Sequence, residues 1–266
     1  MDIKLPSVTP EKAFEVFGIT ISSTMVTSVV ATVFFLIFVA AYNYIRSKNP
    51  ANLFVTIIDV FVEKIVEFFE GIWWSLPRQA MNYVLFLFFY ILWINLFGLF
   101  GDVIVLAIPF IYENNLFRPV STDIMFNWIL AVVGVVWALA YGFQQNGFKF
   151  IEKFFGYKWI WMVENVDSTK KVFAKIGDVF IGIFVGLIEL VSEIAKVVSL
   201  TLRLFWNIFA WVVLITLAFA LIEMFFPLGI LVSVVVLIFE TLVAFIQAFV
   251  FALLVCLYFK MAEHVH

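Results

Sequence analysis

Glu189, Glu193, Lys196, Arg203 and Asn207 follow one another at intervals of four, three, seven and four in an otherwise apolar stretch. Such intervals put side chains on one face of a helix. Ser192 and Ser199 flank the stripe, and farther along Ser233, Glu240 and Gln247 repeat at seven. Arg203 stands in the most apolar part, within Ser199-Leu-Thr-Leu-Arg203-Leu-Phe-Trp-Asn207. A guanidinium stays protonated, its pKa lying above about 12. At the centre of a bilayer that charge costs at least about 2.5–3.5 kcal/mol. An anionic partner or an aqueous passage must offset the cost. Carboxylates, hydroxyls and amides sharing a face can line water or relay protons, so the chemistry indicated is ion movement. Two plainer readings stand beside it: Arg203 as half of a structural pair with a buried carboxylate, and Glu189–Glu193–Lys196 as a helix end snorkelling to the interface.

The elements that must position these groups are membrane helices. Hydrophobic residues make up 65% of the 266 and charged residues 13%, with a mean hydropathy of +1.12, leaving too little polar surface for a water-soluble exterior. A crossing takes about 20 apolar residues, and the runs 21–45, 82–111, 124–143, 178–226 and 230–260 qualify. Residues 1–20 form a short amphipathic lead-in. Segment 51–75 differs: Phe54, Ile58, Phe61, Ile65, Phe68 and Ile72 recur at steps of three and four, with Asp59, Glu63, Glu67 and Glu70 opposite. That pattern predicts an amphipathic helix in the plane of the interface or packed on a partner helix, and not a crossing. Residues 149–175, with six lysines and Trp159 and Trp161, read as a solvated loop.

The run 178–226 is about twice the length of a perpendicular crossing. Either it is two helices without a break signal, or one strongly tilted helix. Pro227-Leu228-Gly229 is the strong turn signal before the last run, so a tilted hairpin hinged there fits both lengths. The expectation is an all-α polytopic membrane protein forming one domain over 1–266. It has about five membrane helices, one membrane-parallel amphipathic helix and a long tilted C-terminal helical hairpin. Basic residues set its direction. Arg46, Lys48, Lys64, Arg78, the six loop lysines and Lys260 fall on one side of five crossings, and only Lys4, Lys12 and Arg118 on the other. The excess puts the N-terminus outside and the C-terminus inside.

Soluble-enzyme motifs are missing. No Walker loop, G-x-G-x-x-G, H-E-x-x-H or nucleophile elbow occurs, so no nucleotide site, cofactor, metal or nucleic-acid partner is expected. Cys256 is the single cysteine and excludes an internal disulfide. Gly182, Gly186 and the Ala244/Ala248/Ala252 series suit close helix packing. The start Met-Asp-Ile-Lys-Leu-Pro lacks the features of a cleaved signal peptide.

The block Ile188-Glu189-Leu-Val-Ser192-Glu-Ile-Ala-Lys196-Val-Val-Ser199-Leu-Thr-Leu-Arg203-Leu-Phe-Trp-Asn207 resembles subunit a of F-type ATP synthase. Glu240-Thr-Leu-Val-Ala-Phe-Ile-Gln247 resembles that family's final helix. Weaker echoes are Asn95-Leu-Phe-Gly98, Arg118-Pro119 before Asp123, and Tyr141-Gly142 with Gly147. The resemblance implies a proton-translocating stator subunit beside a ring of c subunits. Peripheral-stalk b-type subunits, other ATP synthase subunits and the lipid bilayer are its further partners. It implies that Arg203 is the essential arginine facing the ring carboxylates. Asn207, Glu240 and Gln247 would then belong to an outer half-channel, with Asp123 and Glu223 as further candidates, and Glu189, Ser192 and Ser199 to an inner exit. An energy-transducing membrane is implied, and the bacterial plasma membrane is favoured over the mitochondrial inner membrane.

Three positions depart from that pattern. Trp206 and Trp211 stand where the family usually carries small residues, and Val212 where many members have Glu or His. Glu223 or Asp123 is then the candidate replacement for the missing group. A secondary transporter would bring inverted repeats and paired broken helices, and neither is present. A non-conducting accessory subunit leaves the spacing of Arg203, Glu189, Glu240 and Gln247 unexplained.

Overall fold

A computed structural model describes residues 12–16, 19–72, 77–106, 117–147 and 170–263. Two short strands, β1 (Lys12–Val16) and β2 (Ile19–Ser22), pair antiparallel. Six helices follow: α1 (Ser23–Lys48), α2 (Leu53–Ile72), α3 (Arg78–Leu106), α4 (Ile124–Asn146), α5 (Lys170–Met224) and α6 (Phe226–Glu263). The molecule is an all-α polytopic membrane protein apart from the small hairpin. Among the described residues, α1, α4 and the greater parts of α3 and α6 are long and apolar enough to cross a bilayer. The fifth expected crossing, α5, is not among these four.

The chain divides into two compact units, Met1–Asn127 with Leu202–Leu253, and Trp128–Thr201 with Leu254–His266. In the first, the lead-in is a β-hairpin rather than an amphipathic extension. Val16, Ile19, Thr20 and Ile21 are β-branched and favour pleated backbone. Ser22 then caps α1, its Oγ accepting from Met25 N at 3.3 Å. Thr27 and Thr32 return their hydroxyls to the carbonyls of Ser23 and Ser28, which satisfies them without water. The helix stops before Asn49-Pro50, because a residue preceding proline is pushed out of helical geometry.

In α3, Ala80, Val84, Leu87, Ile91 and Ile94 are buried at alternating steps of four and three. Against α1, Trp93 Nε1 donates to Ala31 O at 2.9 Å, and Tyr90 and Thr32 share a hydrogen bond of 3.1 Å. The amphipathic α2 uses its aromatic side within the same unit. Phe61 meets Phe88, Phe89 and Phe245, while Phe68 and Phe69 meet Phe249. Each such ring pair contributes about 0.5–1.5 kcal/mol beyond burial. Lys64 and Glu67 pair at 2.7 Å on the exposed side. The Glu67 carboxylate holds the Lys64 ammonium above the ordinary lysine value, by hydrogen bond and then by charge. Tyr42 donates to Asp59, and Arg46 lies 3.7 Å from the same carboxylate, tying the end of α1 to α2.

In the second unit, Ala131, Val135, Ala138 and Tyr141 form the buried stripe of α4, and Tyr141 meets Phe259 edge-on. Gly147 closes α4 at φ +56°, its N–H bonding Phe143 O at 2.8 Å, in the left-handed geometry that glycine adopts without strain. Helix α5 starts at Lys170, so Lys170, Lys171 and Lys175 are helical rather than part of a loop, while 148–169 lie outside the described residues. With 55 residues α5 has no internal break, which favours one long helix over two. Its separation from α6 falls at Phe225, ahead of the expected hinge at 227–229. Pro227 is accommodated inside the first turn of α6, where its missing N–H has no intrahelical partner to lose.

Candidate functional site

Arg203 projects from α5 in the unit that contains Leu202–Leu253 and is half-buried. Its Nη1 is buried and finds no hydrogen-bond partner among the described residues. One turn on, Asn207 Nδ2 donates to Gln247 Oε1 at 2.6 Å, joining the polar stripe of α5 to that of α6. Gln247 is only 3% exposed, and its Nε2 is likewise buried without a partner among the described residues. Glu240, seven residues earlier on the same helix, is 4% exposed. Buried polar groups are normally paired. A protonated guanidinium nitrogen and an amide left with spare donors therefore mark a site suited to an acceptor. The plainer reading of Arg203 as part of an internal ion pair receives no support, because no carboxylate lies in salt-bridge range of it among the described residues.

Asp123 has a different surrounding in the same unit. Its Oδ1 accepts from Met125 N at 2.9 Å, capping α4, and its Oδ2 accepts from Thr24 Oγ1 at 2.9 Å. Thr24 also shares a hydrogen bond of 2.9 Å with Ser22. Nearby, Arg118 N donates to Thr27 Oγ1 and Arg118 Nε to Thr122 Oγ1. Ser121 Oγ donates to Asn95 Oδ1 at 2.9 Å, and Asn127 Nδ2 donates to Ser121 O at 2.6 Å. Asn127 Oδ1 and Asn95 Nδ2 are buried with no partner among the described residues. Ser22, Thr24, Ser121 and Asn127 were not singled out by the sequence. Asn127, four residues from Asp123 on one helix face, was the available signal.

The approach of Phe117 explains a glycine in α3. A Cβ on Gly101 would lie 2.0 Å from the Phe117 ring, so a larger residue displaces that ring.

In the other unit, Glu189 is half-buried and Ser192 and Ser199 are exposed. Glu193 and Lys196 pair at 2.6 Å with side chains 10% and 14% exposed, and the Lys196 ammonium lies 4.9 Å from the centre of the Tyr258 ring. That burial disagrees with a helix end snorkelling to water. Back in the unit that holds Arg203, Trp206 is 58% exposed, with Phe205 and Phe209 edge-on to it. The side chains of Trp211, Val212 and Glu223 lie outside the described residues.

The family model described as "ATP synthase A chain" matches residues 23–260. The chain is 28% identical over 247 residues to an ATP synthase subunit a of Bartonella tribocorum, covering 88% of this chain and 85% of that protein. It is 36% identical over 144 residues to the Desulfotalea psychrophila subunit, covering 53% of this chain and 49% of that one. To the subunit of Bartonella quintana it is 29% identical over 196 residues, covering 70% and 65% respectively.

Proposed function

The chain belongs to the ATP synthase A chain family, and from that premise we propose that it is the proton-translocating stator subunit of a rotary F-type ATP synthase. It works with the other subunits of that complex in a bacterial plasma membrane, with its N-terminus outside and its C-terminus inside. Its immediate partner is a ring of c subunits, each carrying a carboxylate at mid-membrane, and peripheral-stalk b-type subunits hold it against rotation.

The observation that carries the mechanism is the Nη1 of Arg203, buried and without a hydrogen-bond partner among the described residues. A fixed cation with spare donors favours the ionised form of a carboxylate brought within about 4–6 Å. It also repels a cation trying to pass directly, so protons must enter by one aqueous half-channel, ride the ring and leave by another. Asn207, Glu240 and Gln247 belong to the outer half-channel. The hydrogen bond from Asn207 to Gln247 fixes those two amides, and Glu240 shares the helix face of Gln247. Asp123 and Glu223 are the candidates to replace the acidic or imidazole group missing at Val212. Glu189, Ser192 and Ser199 line the inner exit, preceding Arg203 on α5 as Asn207 follows it. About 100 mV across the membrane supplies roughly 2.3 kcal/mol per proton, so several protons are needed per ATP.

Arg203→Ala in the assembled, reconstituted complex tests this. ATP-driven proton pumping is lost while the complex remains intact; normal pumping would contradict the reading. Arg203→Lys keeps the charge but loses the planar fork, and is expected to pump poorly.

A further inference from the structure

One buried pair is not used by the mechanism above. Glu193 and Lys196 stand three residues apart on α5, and Lys196 Nζ donates to Glu193 Oε1 at 2.6 Å. Lys196 also faces Tyr258 of α6 through its ring at 4.9 Å. Glu193 as a whole is 8% exposed, and this chain's own atoms achieve that without any neighbouring subunit. Glu193 lies one helical turn from Glu189, the carboxylate assigned to the inner exit, and on the same face. Two exchangeable carboxylates at that spacing would compete for the departing proton.

We propose that the Glu193–Lys196–Tyr258 cluster is an electrostatic lock that removes Glu193 from proton exchange and leaves Glu189 as the working carboxylate of the inner exit. The proposal rests on the proton-translocating reading given above. Its chemistry is that of a charge-assisted hydrogen bond in a shielded place. Protonating Glu193 would strip the buried Lys196 ammonium of its counter-charge, whereas neutralising both partners leaves neither charge exposed to that penalty. The aromatic face of Tyr258 adds a second attraction that holds the ammonium on its partner. Lys196 and Tyr258 are thus positioning residues, acting through Glu193. The neighbouring titratable groups are Glu189, one turn earlier on α5, and Lys260, two residues after Tyr258 on α6, while Tyr141 of α4 meets Phe259, the residue that follows Tyr258.

The test measures ATP-driven pumping by the reconstituted complex as a function of pH on the inner side, with assembly checked for each variant. Lys196→Gln frees the Glu193 carboxylate, so its pH profile is expected to gain a second titration absent from the parent. Adding Glu193→Gln to Lys196→Gln removes that second titration and restores the parent profile, a readout that a loss of packing alone would not produce. An unchanged profile in Lys196→Gln overturns the lock. So does an assembled Glu193→Gln/Lys196→Gln complex whose pumping falls on the order of a hundredfold, as expected when a proton-transfer group is removed. Should Lys196→Gln fail to assemble, the double variant decides alone, through retained or lost pumping. Arg203→Ala serves as the control: if it still pumps, the translocation reading itself has failed, whatever the lock variants do.

Discussion

Asp123, proposed above as a proton-pathway group, has structural contacts through both carboxylate oxygens. Its Oδ1 caps α4 and its Oδ2 receives the Thr24 hydroxyl. An asparagine can retain both contacts, its carbonyl accepting from Met125 N and its amide donating to Thr24 Oγ1. Asp123→Asn is therefore expected to leave thermal stability within about 0.5 kcal/mol while lowering proton flux, since the charge is gone. Asp123→Ala loses the cap as well and destabilises by about 0.5–2 kcal/mol. Unchanged flux in Asp123→Asn, measured in reconstituted vesicles, would confine Asp123 to capping. At this scale the sequence was most informative where charge met an apolar run, because a guanidinium or carboxylate there demands a reason. Arg203, Glu189 and Glu240 were singled out in that way. The contact from Thr24 to Asp123 spans 99 positions and that from Asn207 to Gln247 spans 40, and no local period announces either.

The helices followed their periods closely, and their ends did not. Buried stripes at steps of three and four in α3 and α4 match what an apolar helix pressed on neighbours requires. The boundary between α5 and α6 at Phe225 escaped notice because proline was read as a turn, although it fits a helix's first turn equally well. The hairpin of β1 and β2 escaped for another reason: its strands have four or five residues, and so short a run carries little periodic signal. The packing of α2 also carries a prediction. Phe88 is fully buried and meets rings from both α2 and α6. Phe88→Ala opens a cavity worth about 3 kcal/mol, the lower end for such a truncation, because transfer between protein and lipid adds little. Loss of thermal stability with α2 more open to proteolysis would be the outcome observed. A variant as stable as the parent would show that this aromatic cluster contributes little.

Across the whole molecule, composition alone established a membrane protein, and the distribution of basic residues suggested which way it faces. The exposed Trp206, three residues after Arg203 where its family usually carries a small residue, is a surface that this chain alone does not cover. Its position suits a contact with a neighbouring subunit. The central claim proposed above is that the guanidinium of Arg203, whose Nη1 is buried without a hydrogen-bond partner among the described residues, answers to a carboxylate on another chain. The most direct measurement is an image of the purified complex at side-chain resolution. The account predicts the Arg203 guanidinium turned toward a ring carboxylate, within about 4–6 Å of the one it meets. An Arg203 paired inside its own chain, or turned away from the ring toward lipid, would contradict it.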